Sequence, residues 1–279
     1  MATLYIVSTP IGNLEDVTRR AGRILGEVDA VLAEDTRRTG VLLRHLGVSR
    51  PLWSLHAHNE AERTSQVLER LAGGEDLALV SDAGTPLVSD PGERLVAAVL
   101  AAGFDVVPVP GPSAVVTALV ASGLPAVPFS FLGFVPRKGE ARAATLDRVG
   151  QSEETVVLFE SPERLKALLE DLSGACGPER RVAVARELTK LHEEFFRGTL
   201  AEAIRYYQDG AVRGEVTVVV AACSGEGTGG EVDAEAGRAL ARALLADGVR
   251  PSHAAREVAR RLGIPRNTAY VLVQDVAEG

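Results

Sequence analysis

Through its first half the chain alternates short apolar runs with amphipathic stretches, and few architectures accommodate that pattern. Apolar runs at residues 4–8, 30–33, 52–55, 77–80 and 106–109 have the length and composition of buried strands. Segments 17–25, 39–46, 61–71 and 92–101 lie between them and carry apolar residues at helical spacing. Strand and helix in strict alternation predict a parallel sheet with crossover helices. Pro125 and Pro128 punctuate a change of module. Beyond them, strands are expected at 129–133, 155–160, 182–187, 194–198 and 216–222, with helices at 162–172 and 200–208. The expected organisation is an α/β domain over 1–124, a second α/β domain over 125–223, and a helical tail over 231–279.

One loop concentrates special chemistry. Ser81-Asp82-Ala83-Gly84-Thr85-Pro86-Leu87-Val88-Ser89-Asp90-Pro91-Gly92 follows the apolar run 77–80 directly. Its glycines and prolines make it stiff and let backbone approach a ligand, and Asp90-Pro91 can start the next helix. The carboxyl end of a strand in an α/β sheet is where small ligands tend to bind. A tight strand-to-helix turn is the plainer reading, but so dense a set of hydroxyls and carboxylates favours a ligand site.

Composition narrows the class. With 46% hydrophobic and 24% charged residues the chain is an ordinary globular one, and no apolar stretch approaches a membrane span. No signal peptide is visible, since residues 3–8 read directly as a strand. Cys176 and Cys223 are far apart and form no metal-binding motif, so a cytoplasmic location is expected and no metal. His56 and His58 invite a metal reading but lack a third ligand at convincing spacing. A net charge of −8 does not mark a nucleic-acid binder, so an RNA partner would need local basic surface. Three places offer it: Arg37, Arg38 and Arg44; Arg137, Lys138, Arg142 and Arg148; and Arg250, Arg256, Arg260, Arg261 and Arg266. Each is also readable as a solvated helix face.

The 81–92 loop does not stand alone. Together with Ser8-Thr9-Pro10-Ile11-Gly12-Asn13-Leu14, Ala33-Glu34-Asp35-Thr36-Arg37 and Pro110-Gly111-Pro112-Ser113-Ala114, it resembles the tetrapyrrole methylase superfamily. Within that superfamily the chain is most similar to the branch that 2′-O-methylates a cytidine of 16S ribosomal RNA. The resemblance implies a two-domain fold with the cofactor cleft between the domains, S-adenosylmethionine as methyl donor, a small ribosomal subunit as partner, and a homodimer. It implies cofactor contacts at Pro10, Asp82, Gly84, Thr85, Ser113 and Ala114, and in the second domain at Phe159, Ala185, Glu215 and Val216. Gly84 and Gly111 would permit close approach, and the helix after Ser113 would offer free amides to a carboxylate. Ser161-Pro162-Glu163-Arg164 departs from the family pattern at Glu163, which weakens an RNA role for that turn.

Methyl transfer to a ribose hydroxyl requires alignment and an acceptor for one weakly acidic proton. Glu34 and Asp35, at a strand's carboxyl end, are the favoured catalytic residues, with Lys190 as a further candidate; Glu160 and Arg186-Glu187 are also in reach. Asp35 is alternatively a cap for the helix that follows. Arg37, Arg137, Lys138 and Arg142 are the expected RNA contacts, with residues 134–139 as an exposed basic loop or an interdomain hinge.

Residues 224–230 read as a linker. Their Gly225-x-Gly227-x-x-Gly230 match to the dinucleotide fingerprint is rejected, because no second strand follows. The tail packs helical patterns at 234–245, 252–262 and 266–276, spaced like a helix-turn-helix with Gly263 at the turn and Pro265 opening the next helix. A plain helical hairpin fits equally. Two other functions remain open: a corrin or porphyrin C-methyltransferase, and a ribosome-assembly factor that binds without catalysis.

Overall fold

The computed structural model describes residues 2–223, 234–262 and 266–278. It divides into two compact units, Met1–Ala222 and Cys223–Gly279.

The first half of the larger unit is a five-stranded, all-parallel sheet. Its elements are β1 (Thr3–Val7), α1 (Arg19–Glu27), β2 (Ala30–Ala33), α2 (Thr36–His45), β3 (Leu52–Ser54), α3 (Glu60–Ala72), β4 (Leu77–Val80), α4 (Glu93–Ala101) and β5 (Asp105–Val109). Strand order is β3-β2-β4-β1-β5. The central β2 and β4 are buried throughout, which is why they read as unbroken apolar runs. β5 forms an edge and tolerates Pro108 there.

Side-chain alternation splits the core in two. Val31, Ala33, Ala78 and Val80 face α1 and α2 through Ile24, Leu25, Leu42 and Leu43. Leu32, Leu77 and Leu79 face the opposite way, onto Val67, Leu71, Leu95 and Val99 of α3 and α4. The chain thus winds along one face to β3, then reverses along the other to β5. The carboxyl ends of β1, β2, β4 and β5 converge where the winding reverses.

From α5 (Ala114–Ala121) the chain enters a second sheet. It comprises β6 (Phe129–Phe134), α6 (Gly139–Gly150), β7 (Thr155–Glu160), α7 (Leu165–Cys176), β8 (Arg181–Arg186), β9 (Glu194–Thr199), α8 (Leu200–Tyr206) and β10 (Val216–Val220). The order is β6-β7-β10-β8-β9, with β6 and β7 parallel and the other pairs antiparallel. One face packs on α6, α7 and α8 through Val149, Leu168, Leu172 and Leu200. The other, with Val157, Ala183 and Val219, lies against Val115, Ala118 and Leu119 of α5 and against Ile11. This second core joins the two sheets and forms the floor of the cleft between them.

Element boundaries differ from expectation for local reasons. α1 begins at Arg19 because the Thr18 hydroxyl accepts from Ala21 N at 3.0 Å, and residues 14–16 close a separate 3-10 turn capped by Asn13. Asp90 does not start a helix. Gly92, at φ 126°, is the N-cap of α4, and Asp90 stays in the loop. α6 lies where the sequence pattern predicts no helix, since its start at Gly139 reads as a continuing loop. The expected helix at 162 opens as a 3-10 turn, Pro162–Arg164, before α7.

The second unit contains α9 (Ala234–Ala246), α10 (Pro251–Leu262) and α11 (Arg266–Glu278). Small residues let these helices approach closely: Ala241, Ala254, Ala255, Val258, Ala269 and Val273 form the core. The linker expected at 224–230, with its glycine fingerprint, lies outside the described residues. So do Gly263, Pro265 and the side chains of Arg256, Arg260 and Arg266. Among the described residues, no helix is long and apolar enough to cross a membrane.

Candidate active site

The loops at the four converging strand ends are stitched together by hydrogen bonds. Thr9 and Gly84 pair through their backbones, with Thr9 N donating at 2.8 Å and Gly84 N returning at 3.1 Å. The Thr85 hydroxyl donates to the Pro112 carbonyl at 3.1 Å and lies 3.1 Å from Ser8 Oγ. Gly84 sits at φ 84°, and a Cβ there would stand 3.2 Å from Ile11 Cγ2. Gly111 is equally constrained, because a Cβ would come within 2.9 Å of the Ser8 Cβ.

These loops form one wall of a cleft of about 380 Å3, a size suited to a small organic ligand. Asp82, Thr85, Asp90 and Ser113 supply its polar groups, and Ile11 and Val88 its apolar ones. The facing wall comes from the second sheet: Phe159 and Glu160 at the end of β7, Leu188 beyond β8, and Glu215 to Thr217 entering β10. Phe159 is held by Phe131 edge-on, with ring centroids 4.9 Å apart.

Several ionisable groups are committed to partners. Asp82 Oδ1 accepts from Asp35 N at 2.9 Å, and its other oxygen is 3.7 Å from Arg38 Nε. Asp35 is the N-cap of α2, accepting from Arg37 N at 2.9 Å. The Arg37 side chain clasps it too, at 3.0 and 2.8 Å, and holds its carboxyl down at about 2. Lys190 donates to Glu187 at 2.7 Å and to Glu215 at 3.2 Å. Burial opposes its charge, but those carboxylates prevail and raise its pKa, so Lys190 stands as a cation. Glu160 is 2% exposed. Its Oε1 accepts from Ser161 N at 2.8 Å and from Arg164, while Oε2 is buried with no partner among the described residues.

Two carboxyls are perturbed in the other direction. Burial raises Glu34, and the nearby Asp82 adds to this, while Arg38 and His56 oppose. Asp90 is pushed up to about 6, first by burial and then by Glu34, with a hydrogen bond from Ser81 opposing.

The cleft gathers Asp82, Gly84, Thr85, Ser113, Ala114, Phe159, Glu215 and Val216 on its walls. Pro10 and Ala185 are buried behind them, Ala185 within the core that joins the sheets. Arg137 and Lys138 are exposed. Arg142 is turned inward instead, donating to Asp171 at 2.6 and 2.9 Å and to the Pro136 carbonyl at 2.9 Å. It braces the basic loop rather than facing solvent. Arg38 and Asp90 line the cleft as well, beyond the residues expected there, and Asp90 lies within the 81–92 loop itself. Among the described residues no three His, Cys, Asp or Glu gather to hold a metal ion.

The fold and cleft are those of a methylase, and the chain belongs to the Tetrapyrrole (Corrin/Porphyrin) Methylases, whose profile matches residues 3–204. Solved structures of similar shape include uroporphyrin-III-C-methyltransferase from Thermus thermophilus, with TM-score 0.58 and 24% identity over 78% of this chain and 94% of that one. The methyltransferase CobJ superposes with TM-score 0.61 at 20% identity, over 80% and 95%. At such identities the likeness concerns the fold alone. Nearer in sequence are proteins named ribosomal RNA small subunit methyltransferase I. The one from Synechocystis sp. is 45% identical over 98% of this chain and 97% of its own length. That from Micromonospora olivasterospora is 47% identical over 99% and 88%. The Thermotoga maritima protein is 48% identical over 79% of this chain and 98% of its own length.

Proposed function

We propose that the protein transfers a methyl group from S-adenosylmethionine to the ribose 2′-hydroxyl of a cytidine in 16S ribosomal RNA, within the small ribosomal subunit. The observation that carries this reading is the 45% identity, across nearly both full lengths, to a ribosomal RNA small subunit methyltransferase I.

The cleft fits the donor. Gly84 leaves a cradle that a side chain would fill, Ile11, Val88 and Phe159 offer an apolar wall, and Glu160 Oε2 is a buried acceptor with no donor among the described residues. Asp82 and Asp90 make the cleft hospitable to a cation, and the amides opening α5 at Ala114 suit a carboxylate. When bound, the donor supplies an electrophilic methyl on a positively charged sulfur. The protein's part is to hold that methyl and the ribose in line, exclude water and accept the hydroxyl proton. Glu34, Asp35 and Lys190 are the residues proposed from sequence for this chemistry. In their present contacts Asp35 holds the start of α2, and Lys190 supplies positive charge.

Arg37, Arg137 and Lys138, all exposed, are the proposed phosphate contacts. The segments 1–124, 125–223 and 231–279 are proposed as cofactor domain, cleft-closing domain and accessory helical module. A homodimer is supported by α5, which buries Val115 and Leu119 yet exposes Val116 and Val120. The site of action is the cytoplasm, with the ribosome.

The test is methyl incorporation from labelled S-adenosylmethionine into three acceptors: small subunits lacking the modification, naked 16S RNA, and a tetrapyrrole precursor. Label on a ribose 2′-oxygen in the subunits supports the reading. Label on the macrocycle, or none despite cofactor binding, would replace it with a C-methyltransferase or a binding factor.

A further inference from the structure

Resting on that reading, we propose that Phe134, at the mouth of the cleft, is the platform on which the base of the target cytidine stacks while its ribose is methylated. A ribose hydroxyl can meet a methyl group inside the cleft only if its nucleotide is drawn out of the RNA stack. The base then loses its stacking neighbours, and an aromatic face can replace them. Single exposed apolar residues are ordinary on a protein surface, but the place of Phe134 is not ordinary. It is 54% exposed, and among the described residues it is the only exposed large apolar side chain that lines the cleft.

The ring reaches the cleft through a break in the alternation of β6. Phe131 pairs with Val157 of β7, and strict pairing would then set Gly133 opposite Phe159. Phe134 pairs with Phe159 instead, so β6 carries one extra residue there, a β-bulge. In a regular strand Phe134 would share a face with Leu132, which packs onto the core under α6, α7 and α8. The extra residue turns Phe134 to the face of Phe131 and Phe159, the face that lies along the cleft. Gly133 permits the bulge, because it sits at φ 67°, in the left-handed region that favours glycine. A Cβ there would stand 3.2 Å from Ser89 Oγ, so the bulge lies against the 81–92 loop of the first half.

The platform is braced from behind. The Phe134 ring lies 5.6 Å from that of Phe159, which Phe131 holds edge-on. Arg164 donates to the Val135 carbonyl at 3.3 Å and Arg142 to the Pro136 carbonyl at 2.9 Å, so the backbone after Phe134 is tied down as well. Charge selects the part of a nucleotide that enters. Asp82, Asp90, Glu160 and Glu215 line the cleft against one cation, Arg38, so a phosphate is repelled and a neutral base is not. Arg137 and Lys138 do not line the cleft; both are exposed and follow within about 15 Å of chain, where they attract the phosphates of the same strand. Phe134 thus positions the substrate, and neither holds the cofactor nor moves a proton.

Methylation of unmodified small subunits by the full-length protein and its Phe134 variants tests this. Phe134→Ala and Phe134→Leu should each lower kcat/KM by about 5- to 150-fold, the loss of one base–aromatic stack. Phe134→Tyr and Phe134→Trp keep an aromatic face and should recover most of it. Leucine preserves apolar bulk, so Phe134→Leu would rescue a side chain that only packs and fails to rescue one that stacks. Calorimetric affinity for S-adenosylmethionine should stay at the wild-type value in all four variants. The salt dependence of subunit binding should hold too, since it belongs to Arg137 and Lys138. Wild-type kcat/KM in Phe134→Leu, losses in Phe134→Tyr and Phe134→Trp equal to that in Phe134→Ala, or a parallel fall in cofactor affinity overturns the proposal alone. No transfer to ribose by the wild-type protein overturns the functional reading and this proposal with it.

Discussion

Substituting Asp82 separates the structural and electrostatic duties of one side chain. In the native protein its Oδ1 accepts from Asp35 N at 2.9 Å, tying the loop after β4 to the start of α2. Asp82→Ala orphans that half-buried amide, a loss of about 1–3 kcal/mol in folding free energy. Asp82→Asn keeps an acceptor in place and removes only the charge, so most of that stability should return. Cofactor affinity should behave differently. A carboxylate that accepts a charge-assisted hydrogen bond from a bound ammonium group is worth about 1.5–3 kcal/mol, or roughly 10- to 150-fold in Kd. Both variants forfeit that contact. Urea denaturation measures the first quantity and isothermal titration calorimetry with S-adenosylmethionine the second. The expected pattern is Asp82→Ala weak in both assays and Asp82→Asn weak in binding alone. Wild-type affinity in Asp82→Asn would refute the electrostatic role, and wild-type stability in Asp82→Ala would refute the structural one.

Gly84→Ala places a side chain at φ 84° and 3.2 Å from Ile11 Cγ2. A loss of about 1–2 kcal/mol in thermal or denaturant unfolding is expected from the backbone alone, with weaker cofactor binding as Ile11 moves. The double variant Arg137→Ala with Lys138→Ala should weaken subunit binding and flatten its salt dependence by about 1.5–2 in the logarithmic slope, while calorimetric affinity for the cofactor holds. Equal loss of both affinities would assign the loop to a hinge. Asp90 also predicts a stability profile. Its folded value of about 6 lies above the ordinary aspartate value of 3.8, so the folded state binds the proton more tightly, and stability falls as pH rises between those values. Asp90→Asn should therefore raise the urea midpoint at pH 7.5, with the advantage gone near pH 4; an unchanged midpoint at neutral pH would refute the perturbation.

Local chemistry carried much of the architecture on its face. The runs at 30–33 and 77–80 are apolar throughout because both faces of those strands are covered, so they could be recognised without knowing their neighbours. Alternating strand and helix restricts the connections to right-handed crossovers, and the loop at 81–92 announces a ligand site through glycine and proline chemistry that depends on no distant residue. What the sequence alone determined was therefore the strands, most helices and one wall of the cleft. Which ionisable group does what was decided by tertiary structure. Asp35 reads as a base until Arg37 and the start of α2 claim both its oxygens, and Arg142 reads as an RNA contact until Asp171, in another helix, turns it inward. Asp90 reads as a helix start until Gly92 takes that role, leaving its carboxyl between Glu34, 56 residues earlier in the chain, and the open cleft. Proton affinity depends on burial and on charges brought close by folding, and neither is a property of a residue's neighbours along the chain.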